Sequence, residues 1–291
     1  MNLRFIFNPR AGRGPGGPRL LDRIHAFITE HHLAATVVPT ERPRHATELA
    51  RRAVDDGCGL VVAVGGDGLI NEVAQALVGT DTVLGLIPCG SGNGLSRHLG
   101  LARPDDRAFR TLLAGRRRTI DTGTANGIPF INVMGAGFDA EISRQFNRIT
   151  SRGVAAYFRI GVSAWHRFHP ETFVIRDGQN TVTIRATLVA VGNSDQYGGA
   201  AFVATGAQVD DGRLDLIAVP ASGFLRAVPL LARLFLNSFD RGPGVVHLRG
   251  GRFTIQRTAP GCIHTDGEVH ETGPDIEVII RPRSLHVMVP A

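Results

Sequence analysis

The sequence predicts a parallel α/β N-terminal domain followed by a mostly antiparallel β domain, with a cleft between the two halves. Three observations lead there. The first 120 residues alternate short apolar runs with segments of helical period. From Asp121 onward, strand-like runs follow one another, punctuated by Gly, Asn, Asp and Pro. No internal repeat or low-complexity linker breaks this two-part pattern.

Taken in order, "NLRFIF" (Asn2 to Phe7) is an apolar strand, after which Leu20, Ile24, Phe27 and Ile28 recur at helical spacing. "ATVVPT" (Ala35 to Thr40) is the second strand. Ala46, Leu49, Ala50, Ala53 and Val54 mark a second helix, ended by Gly57. "LVVAV" (Leu60 to Val64) is the third strand, Ile70 to Val78 the third helix and "TVLGLIP" (Thr82 to Pro88) the fourth strand. These strands lack polar alternation, so each reads as buried on both faces of a parallel sheet. Right-handed crossovers then bring the strand-to-helix loops to one edge. Beyond Asp121, the strand candidates are "FVIR", "TVTIRATLVAV", "GRLDLIAV", "GRFTIQR", "IEVII" and "SLHVMV". Helical candidates interrupt them near Ala140 to Phe168 and Phe224 to Phe239.

With 43% hydrophobic and 20% charged residues, the 291-residue chain has the composition of a soluble globular protein. No run of 18 apolar residues occurs, and the apolar run at the N-terminus is too short for a signal peptide. Cys58, Cys89 and Cys262 are isolated and read as reduced thiols of a cytoplasmic protein. All 32 basic residues are arginine, and the net charge is +6. The absence of lysine excludes a Walker P-loop, the strand lysine of protein kinases and a Schiff base. Aromatic residues make up only 6%, with no recognition motif among them, so nucleic acid is a poor explanation of the basic balance.

"LVVAVGGDGLINEV" (Leu60 to Val73) ends a strand in Gly65, Gly66, Asp67 and Gly68. Glycines at a strand-to-helix turn let backbone N–H groups approach an anion. Asp67 would repel phosphate unless a cation lies between them, which makes it a candidate for nucleotide-bound Mg²⁺. Alone, "GGDG" fits a tight turn with Asp67 as a helix cap equally well. Two further loops shift the balance: "FNPRAGRG" (Phe7 to Gly14) after the first strand and "PCGSGNGLSR" (Pro88 to Arg97) after the fourth. All three fall on one sheet edge, with Asn8, Ser91 and Asn93 as neutral donors and Thr40 beside them, and form a phosphate or nucleotide site.

"NPRAG", "GGDGLINEV", "PCGSGNGLSRHLG", "GAGFDAEI", "YGGA" with "VDDGRLDL", and "HTDGEV" occur in this order. Together they resemble the diacylglycerol kinase catalytic-domain family, which includes bacterial lipid kinases, sphingosine kinases and ceramide kinases. The resemblance spans essentially the whole chain. It implies an N-terminal domain like those of phosphofructokinase and NAD kinase, spanning residues 1–122, and a C-terminal antiparallel β-sandwich, spanning 123–282. It also implies that residues 283–291 return to the first domain and that ATP binds in the cleft. The implied ATP-binding residues are Asn8, Pro9, Arg10, Ala11, Gly12, Thr40, Gly65, Gly66, Asp67, Gly68, Leu69, Ile70, Asn71 and Ser91. Glu268 matches the family's proton acceptor, and Asp266 supports it. "QVDDGRLDL" resembles the family's structural Mg²⁺ loop, with the Asp211 carboxylate and the carbonyls of Gln208 and Arg213 as ligands.

The chemistry agrees, because a lipid hydroxyl attacking the γ-phosphate must give up its proton, and a carboxylate can accept it. With spacing i, i+2, Asp266 and Glu268 would point the same way on a strand, and a turn at Gly267 would let both reach the cleft. Two positions depart from the family pattern. Leu69 stands where most members have threonine, and Gly94 where many have aspartate; "GDGL" with "GSGN" lies closer to the sphingosine and ceramide kinase branch. Arg144, Arg148 and Arg152 form one stripe if helical, and "FLRAVPLLARLFLNSFDR" carries Arg226, Arg233 and Arg241. The simpler reading of both is a core-facing helix with a solvated basic face; the functional one is a segment resting on an anionic bilayer.

The expected protein is an ATP- and Mg²⁺-dependent lipid kinase, cytoplasmic with peripheral contact at the inner membrane face. It would phosphorylate a hydroxyl of a diacylglycerol-like or sphingoid membrane lipid. The alternatives are an NAD kinase-like enzyme with a soluble substrate and a catalytically silent nucleotide-binding regulator.

Overall fold

A computed structural model describes residues 2–9, 17–147, 160–161, 163–165 and 167–291, without the side chains of 17–19 and 224–226. The chain divides into two compact units, Met1–Ile120 with Arg283–Ala291, and Asp121–Pro282.

In the first unit the order is β1 (Leu3–Phe7), α1 (Gly17–Glu30), β2 (Ala35–Pro39), α2 (His45–Asp55), β3 (Leu60–Gly65), α3 (Asp67–Leu77), β4 (Val83–Pro88), α4 (Gly94–His98) and α5 (Asp106–Ala114). The four strands are parallel, in the order β4-β3-β1-β2. The uninterrupted apolar run of β3 is covered on both faces, and residues Leu60 to Val64 have no exposed surface at all. The register aligns the strands' C-terminal ends: Phe7 lies opposite Pro39 and Val64, and Gly65 opposite Pro88. Backbone hydrogen bonds continue past those ends, from Asn8 N to Val64 O, Thr40 N to Phe7 O and Cys89 N to Gly65 O. The two helices α2 and α3 are joined by Glu72, whose carboxylate accepts the N–H groups of Arg44 and Ala46 at the start of α2.

The second unit contains β6 (Ile128–Phe130), β7 (Val133–Gly137), α6 (Phe138–Phe146), β8 (Glu171–Arg176), β9 (Thr181–Gly192), β10 (Gln196–Gly198), β11 (Ala201–Phe202) and β12 (Leu214–Pro220). Next come α7 (Phe224–Phe235), a 3-10 turn (Phe239–Arg241), β13 (Val246–Gly250), β14 (Arg252–Arg257), β15 (Gly261–Thr265) and β16 (Glu268–Thr272). Strand β5 (Arg116–Ala125) leads into this unit, and β17 (Asp275–Val289) leads out of it. Its pairings are antiparallel, with β9 bonded to β7, β8 and β12. Two-residue alternation selects the inner face: Phe253 and Ile255 of β14, Phe173 and Ile175 of β8, and Ile276, Val278 and Ile280 of β17 share one core with Phe130 and Met134. The end of β17 belongs to the first unit, where Val287 pairs in parallel with Leu84 of β4.

Helix α7 differs from the simpler sequence expectation of a solvated basic face. Ala227 and Leu230 turn inward, but Val228, Leu231, Phe235 and the following Leu236 are 48%, 37%, 51% and 72% exposed. Their spacing of i, i+3, i+7 and i+8 makes the outer face largely apolar. No helix among the described residues is long and apolar enough to cross a membrane.

Candidate active site

The glycines after β3 and β4 serve each other first. A Cβ on Gly90 would lie 2.7 Å from the Gly66 Cα, and one on Gly92 would lie 2.6 Å from Asp67 Oδ2. The two loops therefore touch backbone to backbone, closer than any side chain permits. Asp67 fastens them: its Oδ2 accepts the Asn93 N–H at 2.7 Å and its Oδ1 the Gly94 N–H at 2.9 Å. Asn93 takes a left-handed conformation (φ 54°) and bonds both the N–H and the C=O of Gly90. Asp67 thus caps the short α4 across the gap rather than its own helix. Burial raises its pKa, opposed by those two amides. An ionised carboxylate has about four lone-pair positions, so each oxygen retains capacity toward a nucleotide-bound Mg²⁺, and the residue fits that ion.

Gly68 is different. It is exposed, its φ is not positive, and a Cβ there would meet nothing within 4 Å. Nothing among the described residues requires glycine at this position, whereas backbone approach by a ligand would. Leu69 is buried with its side chain against Gly65, and Ile70 is buried as well. Asn71 is buried too, and its Oδ1 has no hydrogen-bond partner among the described residues. Asn8 and Thr40 are half-buried at the C-terminal ends of β1 and β2, Pro9 is exposed, and Ser91 lies exposed between the clamped glycines. Arg10, Ala11 and Gly12 lie outside the described residues, as do Arg148 and Arg152 of the expected stripe. Arg144 pairs with Glu141 at 2.7 Å.

In the second unit, Asp266 and Gly267 form the two-residue loop between β15 and β16, both with positive φ (50° and 84°). That is the left-handed pair a tight hairpin requires. The two carboxylates differ in their surroundings. Asp266 turns inward and accepts three backbone N–H groups, from Ile131 (2.7 Å), Asn132 (2.9 Å) and Val133 (2.8 Å). Glu268, the first residue of β16, is exposed. Burial pushes Asp266 up to about 6, against the pull of those amides and of His264.

His264 is buried beside this turn. Its Nδ1 accepts the Gly267 N–H at 3.3 Å, and its Nε2 lies 3.0 Å from Asp139 Oδ2. That second approach is an ion-pair distance without hydrogen-bond alignment. Tyr197 Oη donates to the same Asp139 oxygen at 2.9 Å. Burial works to lower the His264 pKa, but the Asp139 and Asp266 carboxylates outweigh it and the pKa is raised. Gly135 makes room: a Cβ there would lie 2.3 Å from Asp139 Oδ2 and 2.4 Å from His264 Nε2. The Asn147 side chain, just past α6, donates to the Gly267 carbonyl at 2.9 Å.

The third group of expected residues surrounds the turn before β12. Asp211 Oδ1 accepts the Arg213 N–H at 3.0 Å, and its Oδ2 accepts Arg249 Nη2 at 2.6 Å. Gln208 is exposed, its amide directed to the Gly206 carbonyl at 3.4 Å. Gly212 (φ 73°) donates its N–H to Asp121 at 2.8 Å.

The diacylglycerol kinase catalytic domain matches residues 2–125, and the YegS C-terminal NAD kinase beta sandwich-like domain matches residues 132–289. The chain belongs to the diacylglycerol kinase catalytic-domain family. This family member is 34% identical over 247 residues to the "Probable lipid kinase YegS-like" of Chromohalobacter salexigens, covering 82% of this chain and 78% of that protein. It is 30% identical over 254 residues to the diacylglycerol kinase of Mycobacterium tuberculosis H37Rv, covering 84% and 81%. The crystal structure of a diacylglycerol kinase from Bacillus anthracis Sterne superposes with a TM-score of 0.72 at 19% identity, over 99% of this chain and 96% of that one. That last likeness is one of fold. The expected fold class, a parallel α/β domain with an antiparallel β-sandwich, is the one found.

Sequence reasoning about this lipid kinase family member singled out Glu268 and Asp266 but gave no role to Asp139, Tyr197 or His264. The signal was present in pieces. "GAGFDAEI" carries Gly135 and Asp139, "YGGA" begins at Tyr197, and "HTDGEV" begins at His264. Three motifs that are separate along the chain meet at one turn.

Proposed function

We propose that this chain transfers the γ-phosphoryl group of ATP to a hydroxyl of a diacylglycerol-like or sphingoid lipid, with Glu268 accepting the hydroxyl proton. The observation that carries this reading is the division of labour at the "DGE" turn. Asp266 is engaged by three amides, which fixes the loop, while Glu268 two residues on is exposed. A carboxylate on the strand residue that follows a rigid two-residue turn is suited to general-base work, because its backbone position is set before substrate arrives. In the step, the lipid O–H bond breaks and its proton goes to Glu268. The lipid oxygen forms the new O–P bond, and the bond from the γ-phosphorus to the bridging oxygen breaks, releasing ADP.

The clamped glycine loops of the first unit would hold the triphosphate through backbone N–H groups, with Gly68 leaving the backbone open to it. Asp67 would hold the nucleotide's Mg²⁺, an ion that offsets charge on the phosphate oxygens during transfer. Leu69 brings no hydroxyl to this site, so binding rests on main-chain donors and neutral side chains.

Two features support a membrane lipid as acceptor. The outer face of α7 exposes Val228, Leu231, Phe235 and Leu236, with Arg233 and Arg241 on the same segment. An apolar face flanked by cations suits the boundary of an anionic bilayer. A depression of about 380 Å³ opens beside α6, lined by Glu141, Arg144, Arg167, Phe168 and His169. Its mixed lining suits a polar headgroup attached to an apolar body.

The test is a radiolabelled ATP assay on mixed micelles containing diacylglycerol, sphingosine or ceramide, with NAD as a soluble acceptor in parallel. Label entering one lipid class supports the proposal. Label entering NAD alone, or ATP binding with no transfer to any acceptor, overturns it.

A further inference from the structure

The family resemblance implies a structural Mg²⁺ on the Gln208–Arg213 loop, with Asp211 as its carboxylate ligand. The carboxylate of that set already faces a full positive charge, which a divalent ion would have to share. Asp211 Oδ2 is occupied by the Arg249 guanidinium at 2.6 Å, and the same guanidinium places its Nε 3.0 Å from Asp215 Oδ1. We infer that Arg249 supplies the fixed positive charge of this loop, so that the second unit holds it without a divalent cation. The inference is independent of which substrate the chain phosphorylates.

The arrangement is built into the sheet. Strands β12 and β13 are antiparallel, and their register sets Asp215 directly opposite Arg249 and Ile217 opposite His247. Directly opposed residues share a face, so Arg249 and His247 rise on the side where Asp215 is buried. Asp215 is 2% exposed and would be costly there as a lone charge. It receives Arg249 Nε and, at 2.7 Å, His247 Nε2, whose Nδ1 lies 3.3 Å from the buried Asp240. From that anchored position Arg249 extends to Asp211, which sits on the turn leading into β12. The planar fork spans two carboxylates at once, which a lysine ammonium could not do in the same geometry. Asp211's other oxygen closes the turn on the Arg213 N–H.

Mg²⁺ requires oxygen ligands at about 2.0–2.1 Å in near-octahedral array and repels a neighbouring cation. An ion on Asp211 Oδ2 would lie beside the positively charged guanidinium, and the two cations repel. One of the two must leave, and Arg249 is held by a second, buried carboxylate. The chain therefore keeps the family's loop sequence, "DDGRLD", while a side chain from the neighbouring strand replaces the metal's charge.

Thermal melting of the full chain without nucleotide tests this, in EDTA, in millimolar Mg²⁺ and in millimolar Ca²⁺. The wild type should melt at the same temperature in all three. Arg249→Gln should melt lower in EDTA and recover part of the loss in Mg²⁺ or Ca²⁺, because the freed carboxylates then accept an ion; adding Asp211→Asn should abolish that recovery. A wild type that loses several degrees in EDTA and regains them in Mg²⁺, through Asp211, overturns the inference, and this arm needs no variant to fold. So does an Arg249→Gln protein that melts like the wild type in EDTA. An Arg249→Gln protein that stays depressed in both cations leaves arginine as the loop's cation with no metal able to take its place, and also supports the inference.

Discussion

Alanine at Gly90 tests the contact on which the nucleotide loops depend. Its Cβ would sit 2.7 Å from the Gly66 Cα and 2.8 Å from Asn93 Oδ1. Carbon atoms rest at about 3.5–4.0 Å, so the overlap is about 1 Å. Neither neighbour yields alone. Gly66 lies between β3 and α3, and the adjoining Gly65 carbonyl is bonded to Cys89. Asn93 is held by Gly90 itself through two hydrogen bonds. The loops must part by about 1 Å, at the cost of about 1–3 kcal/mol typical of overpacking. Displacements of that size in positioning groups cost about 10²-fold in rate. Gly90→Ala should therefore weaken ATP binding, measured by calorimetry, and lower hydrogen-exchange protection in residues 85–98. Gly68→Ala is the contrast, because its Cβ meets nothing. It should leave protection unchanged or raise it, since alanine is favoured over glycine in a helix by about 0.5–1 kcal/mol, yet still weaken ATP binding if phosphate passes over that backbone. Wild-type ATP affinity and protection in Gly90→Ala would refute the close-approach reasoning. Unchanged affinity in Gly68→Ala would remove the phosphate from that position.

Glu268→Gln should lower kcat by about 10²- to 10⁴-fold with ATP affinity unchanged, because the amide keeps the shape but cannot take the proton; near-normal kcat with chemistry rate-limiting would exclude it as base. Asp266→Asn keeps one acceptor oxygen but turns an NH₂ toward a backbone donor, leaving an amide unpaired at about 1–3 kcal/mol. Denaturant unfolding should register that loss, and equal stability would show that the three amides do not hold the turn. Stability should also decline with rising pH. Asp266, at about 6 when folded against an ordinary 3.8, retains a proton that the unfolded chain has released, so stability falls from about pH 4 to 6. His264, raised above its ordinary 6.5, extends the fall as pH climbs through its folded value. His264→Gln should flatten the upper part of that profile, and a stability that rises across this range and is indifferent to His264 would contradict the pairing.

Local sequence determined the first unit's four strands and its first three helices, but not α4 or α5. Strands buried on both faces must be apolar at every position, as Leu60 to Val64 are, and helices laid on such a sheet repeat their apolar residues at helical spacing. In β14 the two-residue alternation was equally plain. These patterns are legible because they record only which side of an element meets water. What each polar group does was decided elsewhere. "GGDG" left Asp67 open between a cap of its own helix and a metal ligand; its partners proved to be amides 26 and 27 residues away, reached because two glycine loops touch. "DGE" offered two equivalent carboxylates, and only the left-handed turn and the amides of Ile131 to Val133, up to 135 residues distant, made one a fastener and left the other exposed. Arg249 carried no signal at all until the β12–β13 register set it opposite Asp215. An element's own pattern sets which side can face a core, although β2 and α7 leave apolar residues uncovered, but a polar group's hydrogen-bond partner is chosen by chain segments that meet only when the sheets have formed.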